Sequence, residues 1–235
     1  MTDGLLYVLS DPGPVPEPEF HDWYDTEHLP ARLTVPGMVS AYRFAALDEQ
    51  MPPWLATYDL SLSALESPEY RAIVANASDR EKSIMSSLAV LDRRVYSLIS
   101  DTGPTDEPPA TLLAVAMSVP PDAEADVDAW YTDEHIPMLM AVPGWRRIRR
   151  FRLVAGTGPD LLSLHEIDGV SAFEQEGYRT AVSTPWRNRI VANATTRERR
   201  VFGLLDLPCV IDNRPESARL PPGRDQNRQG RLHQP

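Results

Sequence analysis

The chain has 235 residues, of which 42% are hydrophobic and 24% charged, and its formal net charge at pH 7 is −11. This hydrophobic share is too high for a disordered chain, and the negative charge argues against binding to nucleic acid, whose phosphates require a basic surface. A single cysteine excludes an internal disulfide framework. Because the sequence has neither a signal-peptide pattern nor a run of about 18 apolar residues, we expect a cytoplasmic protein without a membrane partner.

One segment of the sequence occurs twice. WYDTEHLPARLTVPG begins at Trp23, and WYTDEHIPMLMAVPG begins at Trp130, about 107 positions later. The same register continues beyond the motif, where Arg43 corresponds to Arg150. We interpret the chain as a tandem duplication of a unit of about 100 residues, which is the usual size of a small domain.

In each half, a short apolar run predicts a buried first strand, at residues 5–9 and 112–117. A helix is predicted next, because side chains recur at the spacing i, i+3, i+4, i+7 and i+8. This stripe consists of Phe20, Trp23, Tyr24, Glu27 and His28 in the first half, and of Val127, Trp130, Tyr131, Glu134 and His135 in the second. Pro30 and Pro137 disfavour helical geometry at the preceding residue, so we expect each helix to end close to its histidine.

The later elements follow the same plan in both halves. Two strands are expected to pair as a hairpin, followed by a helix and a closing strand. These segments are residues 38–46, 55–62, 68–76 and 94–99 in the first half, and residues 145–154, 161–167, 172–182 and 200–205 in the second. The order β-α-β-β-α-β is the ferredoxin-like order of the α+β class. Because helices cover only one face of such a sheet, we expect the two sheets to bury their other faces against each other as an internal pseudo-dimer.

This reading divides the chain into four parts. Residues 1–101 form the first ferredoxin-like repeat, the proline-rich residues 102–110 form a linker, and residues 111–208 form the second repeat. Residues 209–235 are polar and lack an apolar period, so we expect a disordered tail.

A carboxylate and an imidazole lie on the otherwise apolar stripe of each first helix. These are Glu27 with His28 and Glu134 with His135. A buried polar group without a partner costs about 1–3 kcal/mol, so these groups have partners or face a cavity. An imidazole at a helix C-terminus is favoured in its charged form by the helix dipole. The alternative is structural: each glutamate bonds a neighbouring loop, and each histidine bonds a carbonyl and packs.

Tyrosines add to this candidate catalytic set. Tyr24 precedes His28 by one helical turn and Tyr131 precedes His135 in the same way, so phenol and imidazole can face one pocket and move protons.

The halves differ at positions that could bind a substrate. Tyr58 of the first half becomes His165, and Met38 becomes Trp145. Because of His165, we expect the second pocket to be the working one. Arg43 or Arg150 is a candidate to hold a carboxylate.

The sequence gives no signal for a metal or a cofactor. Neither half has a His-x-x-x-His pair or a cysteine cluster, and no glycine-rich phosphate loop or nucleophile elbow is present. We therefore expect no metal site and no cofactor.

The duplicated WYxxEH(L/I)P…VPG motif resembles the EthD-like branch of the dimeric α+β barrel superfamily in a fused, tandem-repeat form, over residues 4 to about 207. The resemblance implies an intramolecular dimeric α+β barrel with clefts that bind small, mostly apolar molecules. Similar proteins include cofactor-independent decarboxylases of aromatic polyketide acids, cyclases, lactone isomerases, oxygenases and haem-handling proteins. The histidine and acid of the family motif map onto His28 and His135 and onto Glu27 and Glu134.

From the residues and the resemblance, we expect a cofactor-independent lyase that decarboxylates a small aromatic or polyketide-like acid. A histidine would protonate the ring carbon, a tyrosine would orient a phenolic oxygen, an arginine would hold the carboxylate, and a glutamate would fix the imidazole. The same groups could instead enolise a ketone for cyclisation or isomerisation, and a non-catalytic protein that binds a small aromatic or apolar ligand is the rival from another class. Assembly into a homo-oligomer stays open.

Overall fold

The computed structural model describes residues 2–105 and 107–205, so the expected tail, residues 209–235, lies outside the described residues. The elements of the first half are, in chain order, β1 (Gly4–Asp11), α1 (Glu17–Trp23), a π-helical segment (Tyr24–His28), α2 (Leu29–Leu33), β2 (Met38–Ala46), β3 (Trp54–Leu60), a 3₁₀ turn (Leu62–Glu66), α3 (Pro68–Ala75), α4 (Asp79–Ser87) and β4 (Val90–Asp101).

The second half repeats this order. Its elements are β5 (Thr111–Ser118), a 3₁₀ turn (Pro121–Ala123), α5 (Glu124–Trp130), a π-helical segment (Tyr131–His135), α6 (Ile136–Met140), β6 (Trp145–Ala155), β7 (Leu161–Ile167), a 3₁₀ turn (Val170–Glu174), α7 (Glu176–Ala181), α8 (Pro185–Asn193) and β8 (Thr196–Leu204). Among the described residues, no helix is both long and apolar enough to cross a bilayer.

The strands of the described chain close into one antiparallel barrel in the order β1-β3-β2-β8-β5-β7-β6-β4. Each half contributes four neighbouring strands, and the pairs β2–β8 and β4–β6 join the halves. Along β1, Leu5 and Leu9 belong to the core inside the barrel, whereas Leu6 and Val8 pack with the helices outside. The predicted ferredoxin-like halves and the internal pseudo-dimer are confirmed.

The expectation that the first helix of each half ends close to its histidine was wrong, because the helix continues to Leu33 or Met140. In both halves the helix widens into a π-helical turn and continues into α2 or α6. The amide of Leu29 bonds the carbonyl of Tyr24, five residues earlier. Such a widened turn accommodates Pro30, which lacks an amide proton and cannot continue the α-helical ladder. His28 therefore lies within a continuous helix, and the helix-dipole argument for a charged imidazole does not apply.

A further helix, α4 or α8, was missed in each half. Ser78 precedes α4, and its hydroxyl accepts a hydrogen bond from the amide of Glu81. Thr184 caps α8 in the same way, with Pro185 at the first helical position. Pro185 can start this helix because a proline is favoured where no amide proton is needed.

Candidate functional site

The π-helical turn of the first half brings two rings of the motif together. The ring centroids of Tyr24 and His28 are 4.8 Å apart, and the indole of Trp23 lies 4.6 Å from the imidazole. One extra residue in the turn changes the angle between successive side chains, and such π turns occur often at functional sites. The local geometry thus places a phenol and an imidazole on the same side of the helix, as the spacing predicted.

A cavity of about 350 Å³ lies between the helices and the outer face of the sheet in the first half. Tyr24, His28 and Tyr58 line it, together with mainly apolar side chains. The hydroxyl of Tyr58 donates a hydrogen bond to the hydroxyl of Tyr24 at 3.1 Å. Burial raises the pKa of both tyrosines, so both phenols stay protonated at neutral pH. The proton of the Tyr24 hydroxyl is then available to an oxygen atom of a ligand.

Arg32 of α2 and Glu81 of α4 form an ion pair that completes this wall of the cavity. Nδ1 of His28 lies 3.3 Å from Oε1 of Glu81, and Nη2 of Arg32 donates to the same oxygen at 2.6 Å. Burial lowers the pKa of His28, although the contact with Glu81 acts in the opposite direction. The contact with His28 and the ion pair with Arg32 lower the pKa of Glu81 to about 2. At neutral pH the imidazole of His28 is therefore uncharged, and it lies between the Glu81 carboxylate and the apolar cavity.

Arg32 has hydrogen-bonding capacity left over. Its Nη2 atom is engaged by Glu81, but its Nη1 atom is buried and has no hydrogen-bond partner among the described residues. A buried guanidinium N–H without an acceptor is costly. Since Arg32 lines the cavity, an anionic group of a ligand is a natural acceptor for it.

The arginines that we selected from the sequence lie elsewhere. Arg43 is only 2% exposed, donates to Asp25 at 2.6 Å, contacts the ring of His21 at 2.8 Å and stacks on Tyr24 at 4.2 Å. Arg43 packs against the ring of Tyr24 and does not line the cavity.

Arg150 has the equivalent position in the second half. It bonds Asp128, and its guanidinium lies 4.3 Å from the centroid of the Tyr131 ring.

The glutamates of the motif anchor neighbouring helices. Glu27 accepts a hydrogen bond from the hydroxyl of Ser78, which caps α4. Glu134 accepts bonds from the hydroxyl of Thr184 at 2.6 Å and from the indole of Trp130 at 3.2 Å. The acid that contacts the imidazole of His28 is Glu81, not its neighbour Glu27. The structural alternative gave each glutamate a bond to the loop backbone after Pro30 or Pro137, whereas the structure gives each a bond from the hydroxyl that caps a later helix.

The corresponding cavity of the second half is smaller, at about 140 Å³. His135 stacks on Trp130 with centroids 4.2 Å apart, and its Nδ1 atom has no hydrogen-bond partner in the described chain. His165 is 1% exposed, and its Nδ1 atom accepts a hydrogen bond from the indole of Trp145 at 3.3 Å. Burial lowers the pKa of His135 to about 4 and that of His165 to about 3.

The structure therefore brings most of the candidates together, but as two unequal sets. Tyr24, His28 and Tyr58 share the larger cavity, and Tyr131, His135, His165 and Trp145 share the smaller one. The sequence singled out the second set because of His165, whereas cavity size and the ion pair beside the imidazole favour the first set.

Arg32 and Glu81 were missed by sequence reasoning. A signal for Glu81 was present, because Ser78-Asp79-Arg80-Glu81 has the S-x-x-E pattern of a helix start. Arg32 could have been found by comparing the halves, since the motif has Leu139 at the matching position.

Within the described chain, no group of three or more His, Cys, Asp or Glu side chains is placed to hold a metal ion.

Several solved structures share this fold at low sequence identity. An anthrone oxidase-like protein has a TM-score of 0.63 and 15% identity, and the match covers 87% of this chain and 92% of that chain. A protein assigned as a monooxygenase, from Fusobacterium nucleatum subsp. nucleatum, has a TM-score of 0.57 and 7% identity over 87% of this chain and 93% of its own. A protein assigned as a chlorite dismutase has a TM-score of 0.56 and 15% identity over 88% and 96% of the two chains.

No protein-family model matches the sequence, and no curated protein is similar to it. The chain has the fold of the dimeric α+β barrel proteins, in a form in which one chain supplies both halves.

Proposed function

We propose that the cavity of the first half is the active site of a cofactor-independent lyase that decarboxylates a small aromatic or polyketide-like acid. The observation that carries this proposal is the array of Arg32, Glu81 and His28 on one wall of an apolar cavity of about 350 Å³. Its members supply a cation for a carboxylate, an imidazole for proton transfer and an acid that holds the imidazole.

Substrate binding would engage the parts of this wall that lack partners. Nη1 of Arg32, which has no hydrogen-bond partner among the described residues, would donate a hydrogen bond to the substrate carboxylate. The Tyr24 hydroxyl, which already accepts a bond from Tyr58, donates its own proton to a phenolic oxygen of the ring. The apolar remainder of the cavity, which includes Leu6 and Val8, contacts the ring itself.

The protonation state of His28 changes when such a substrate enters. Burial keeps the free imidazole neutral by lowering its pKa. A substrate carboxylate on Arg32 adds a second negative charge beside Glu81, and a nearby negative charge raises the pKa of an imidazole. Binding of the acid therefore favours uptake of the proton that the reaction consumes.

The proton then passes from the His28 imidazolium to the ring carbon that bears the carboxylate. The bond between that carbon and the carboxylate breaks, its electron pair returns to the ring, and CO₂ leaves. His28 is neutral at the end of the step and regains a proton from solvent. General acid catalysis of this kind contributes about 10²–10⁴-fold in rate.

A second candidate is enolisation in the same cavity, which would lead to cyclisation or isomerisation. It is favoured by the lowered pKa of His28, because a neutral imidazole is a base. The names of two structural neighbours, an anthrone oxidase-like protein and a monooxygenase, describe oxidations, and an enolised ring also reacts with molecular oxygen.

The test is to measure CO₂ release, oxygen uptake and substrate loss over a panel of hydroxylated aromatic and polyketide-like acids. For an acid that releases CO₂, His28→Gln should lower kcat by about 10²-fold or more with little change in Tm, because the variant keeps the size and loses the titrating proton. The matched control is His135→Gln, which makes the same change in the second half.

The outcomes separate the alternatives. Oxygen uptake or substrate loss without CO₂ release would replace decarboxylation by enolisation. Saturable binding without any turnover would make the protein a carrier. Loss of activity in His135→Gln, with full activity in His28→Gln, would move the active site to the second half.

A further inference from the structure

Among the described residues, the second cavity has basic side chains without an acid among them, whereas the first cavity has Glu81 beside its three basic side chains, Arg32, Lys82 and Arg93. Arg187, Arg197 and Arg199 all line the second cavity, and no acidic side chain does so within the described chain. Arg187 occupies the third position of α8, and it matches Glu81, the third position of α4. At this position the first half has an acidic residue and the second half a basic one, in a protein whose formal net charge is −11.

These arginines have no carboxylate partners in the part of the chain that the structure describes. Among the described residues, the guanidinium of Arg187 donates only to the side-chain carbonyl of Asn188 at 3.3 Å, and that of Arg199 only to the hydroxyl of Tyr178 at 3.5 Å. By contrast, Arg32 in the first half has Glu81 at 2.6 Å. Like charges held together without counter-ions repel each other, so a bound anion would lower the energy of this cluster.

A side chain that lines the same cavity has a buried nitrogen atom without a hydrogen-bond partner in the described chain. His135 is 7% exposed, and its Nδ1 atom has no hydrogen-bond partner among the described residues. A buried polar atom of this kind costs about 1–3 kcal/mol unless a ligand or a water molecule satisfies it. The cavity thus offers a polar atom at its inner wall in addition to the arginine side chains.

The volume of the cavity and the side chains of its walls limit the size and the chemical class of the ligand. Its volume is about 140 Å³, and its walls include Leu113, Trp145 and Tyr178. An apolar cavity of roughly 150 Å³ holds one benzene molecule. We propose that this second cavity is a separate binding site for a one-ring aromatic carboxylate, with the ring among the apolar walls and the carboxylate on Arg187 and its two neighbouring arginines.

The site binds its ligand and does not turn it over, because no acidic side chain of the described residues lines the cavity to hold the imidazole of His135 during proton transfer. This inference does not rest on the reaction proposed for the first cavity. It assigns the two halves different ligands: a larger acid in the first cavity and a one-ring acid in the second.

The experiment is a calorimetric titration of the full chain with sodium benzoate at fixed ionic strength, with benzyl alcohol as the neutral probe. We expect saturable binding of benzoate and at least about tenfold weaker binding of benzyl alcohol. Arg187→Glu should weaken the binding of benzoate by about tenfold or more. The matched control is Arg179→Glu, an exposed change of the same charge on α7, which does not line the cavity and should leave the affinity unchanged.

The titration is repeated in Arg32→Leu, which gives the first cavity the residue of the second half and removes the cation beside His28. Binding of benzoate should persist in that variant. Absence of saturable binding in the natural protein, equal weakening by Arg187→Glu and Arg179→Glu, or loss of binding in Arg32→Leu would each overturn the proposal. Failure of the decarboxylation assay would leave these measurements unaffected.

Discussion

The two halves have one fold and two different cavities. Their strands, π-helical turns and helix caps correspond, whereas the residues around the imidazole do not: Arg32, Glu81 and Tyr58 in the first half are matched by Leu139, Arg187 and His165 in the second. The larger cavity has an ion pair beside its histidine, and the arginines of the smaller one have no carboxylate partner among the described residues. The duplicated halves thus keep one scaffold, while the side chains that line their two cavities differ in charge.

The elements that stayed the same are those that the barrel requires. The pairs β2–β8 and β4–β6 link the halves, and the core inside the barrel draws on both sheets, with Phe44 and Phe151 among its members. The side chains of the cavities lie outside the barrel, where a change in one half does not disturb the other. The substitutions at Glu81 and Tyr58 could therefore accumulate without loss of the fold.

The strongest test of the shared scaffold is to separate the halves. Residues 1–103 expressed alone should not give a soluble monomer that melts cooperatively, because half of the barrel core, including Leu5 and Phe44, would face water. Size-exclusion chromatography and calorimetry provide the measurement. A well-behaved monomer would show that each half is an independent domain.

The difference in charge between the halves predicts unequal costs for equivalent substitutions. Glu81→Leu should reduce the free energy of unfolding by about 3–5 kcal/mol, because it leaves the buried guanidinium of Arg32 without its partner. Arg187→Leu, the matched change in the second half, should cost less than about 1 kcal/mol, since that residue has no ion pair among the described residues. Denaturant unfolding measures both, and equal losses would contradict the assignment of the charges.

The histidines of the second cavity predict a smaller, pH-dependent effect. Burial lowers the pKa of His165 to about 3, and the unfolded chain has the ordinary value of about 6.5. Between these values the unfolded state binds more protons, so stability is complete above about pH 6.5 and falls as the pH is lowered. At pH 5 the loss from this residue is about 2 kcal/mol relative to pH 7.

The variant His165→Gln cannot titrate and should flatten this part of the stability profile. Thermal melts of the natural protein and of the variant between pH 7 and pH 5 make the comparison. Parallel profiles for the two proteins would mean that His165 does not control the acid sensitivity of the second half.

The sequence by itself determined the duplication, the ferredoxin-like order and the tyrosine and histidine of each site. These depend on local patterns: repeated motifs, apolar alternation and helical spacing are written in neighbouring residues. The position of Tyr24 one turn before His28 was enough to place both on one cavity wall.

The rest was decided by tertiary structure. Arg32 and Glu81 are 49 residues apart in sequence, and they meet at the imidazole of His28 only because α2 and α4 pack on the same sheet. The role of Arg43 was misjudged for the same reason, since its partner Asp25 comes from the π-helical turn of the first half and takes up its charge. Which cavity is larger, and which cation lacks a partner, depends on contacts between segments that are distant in sequence, and local patterns do not encode such distances.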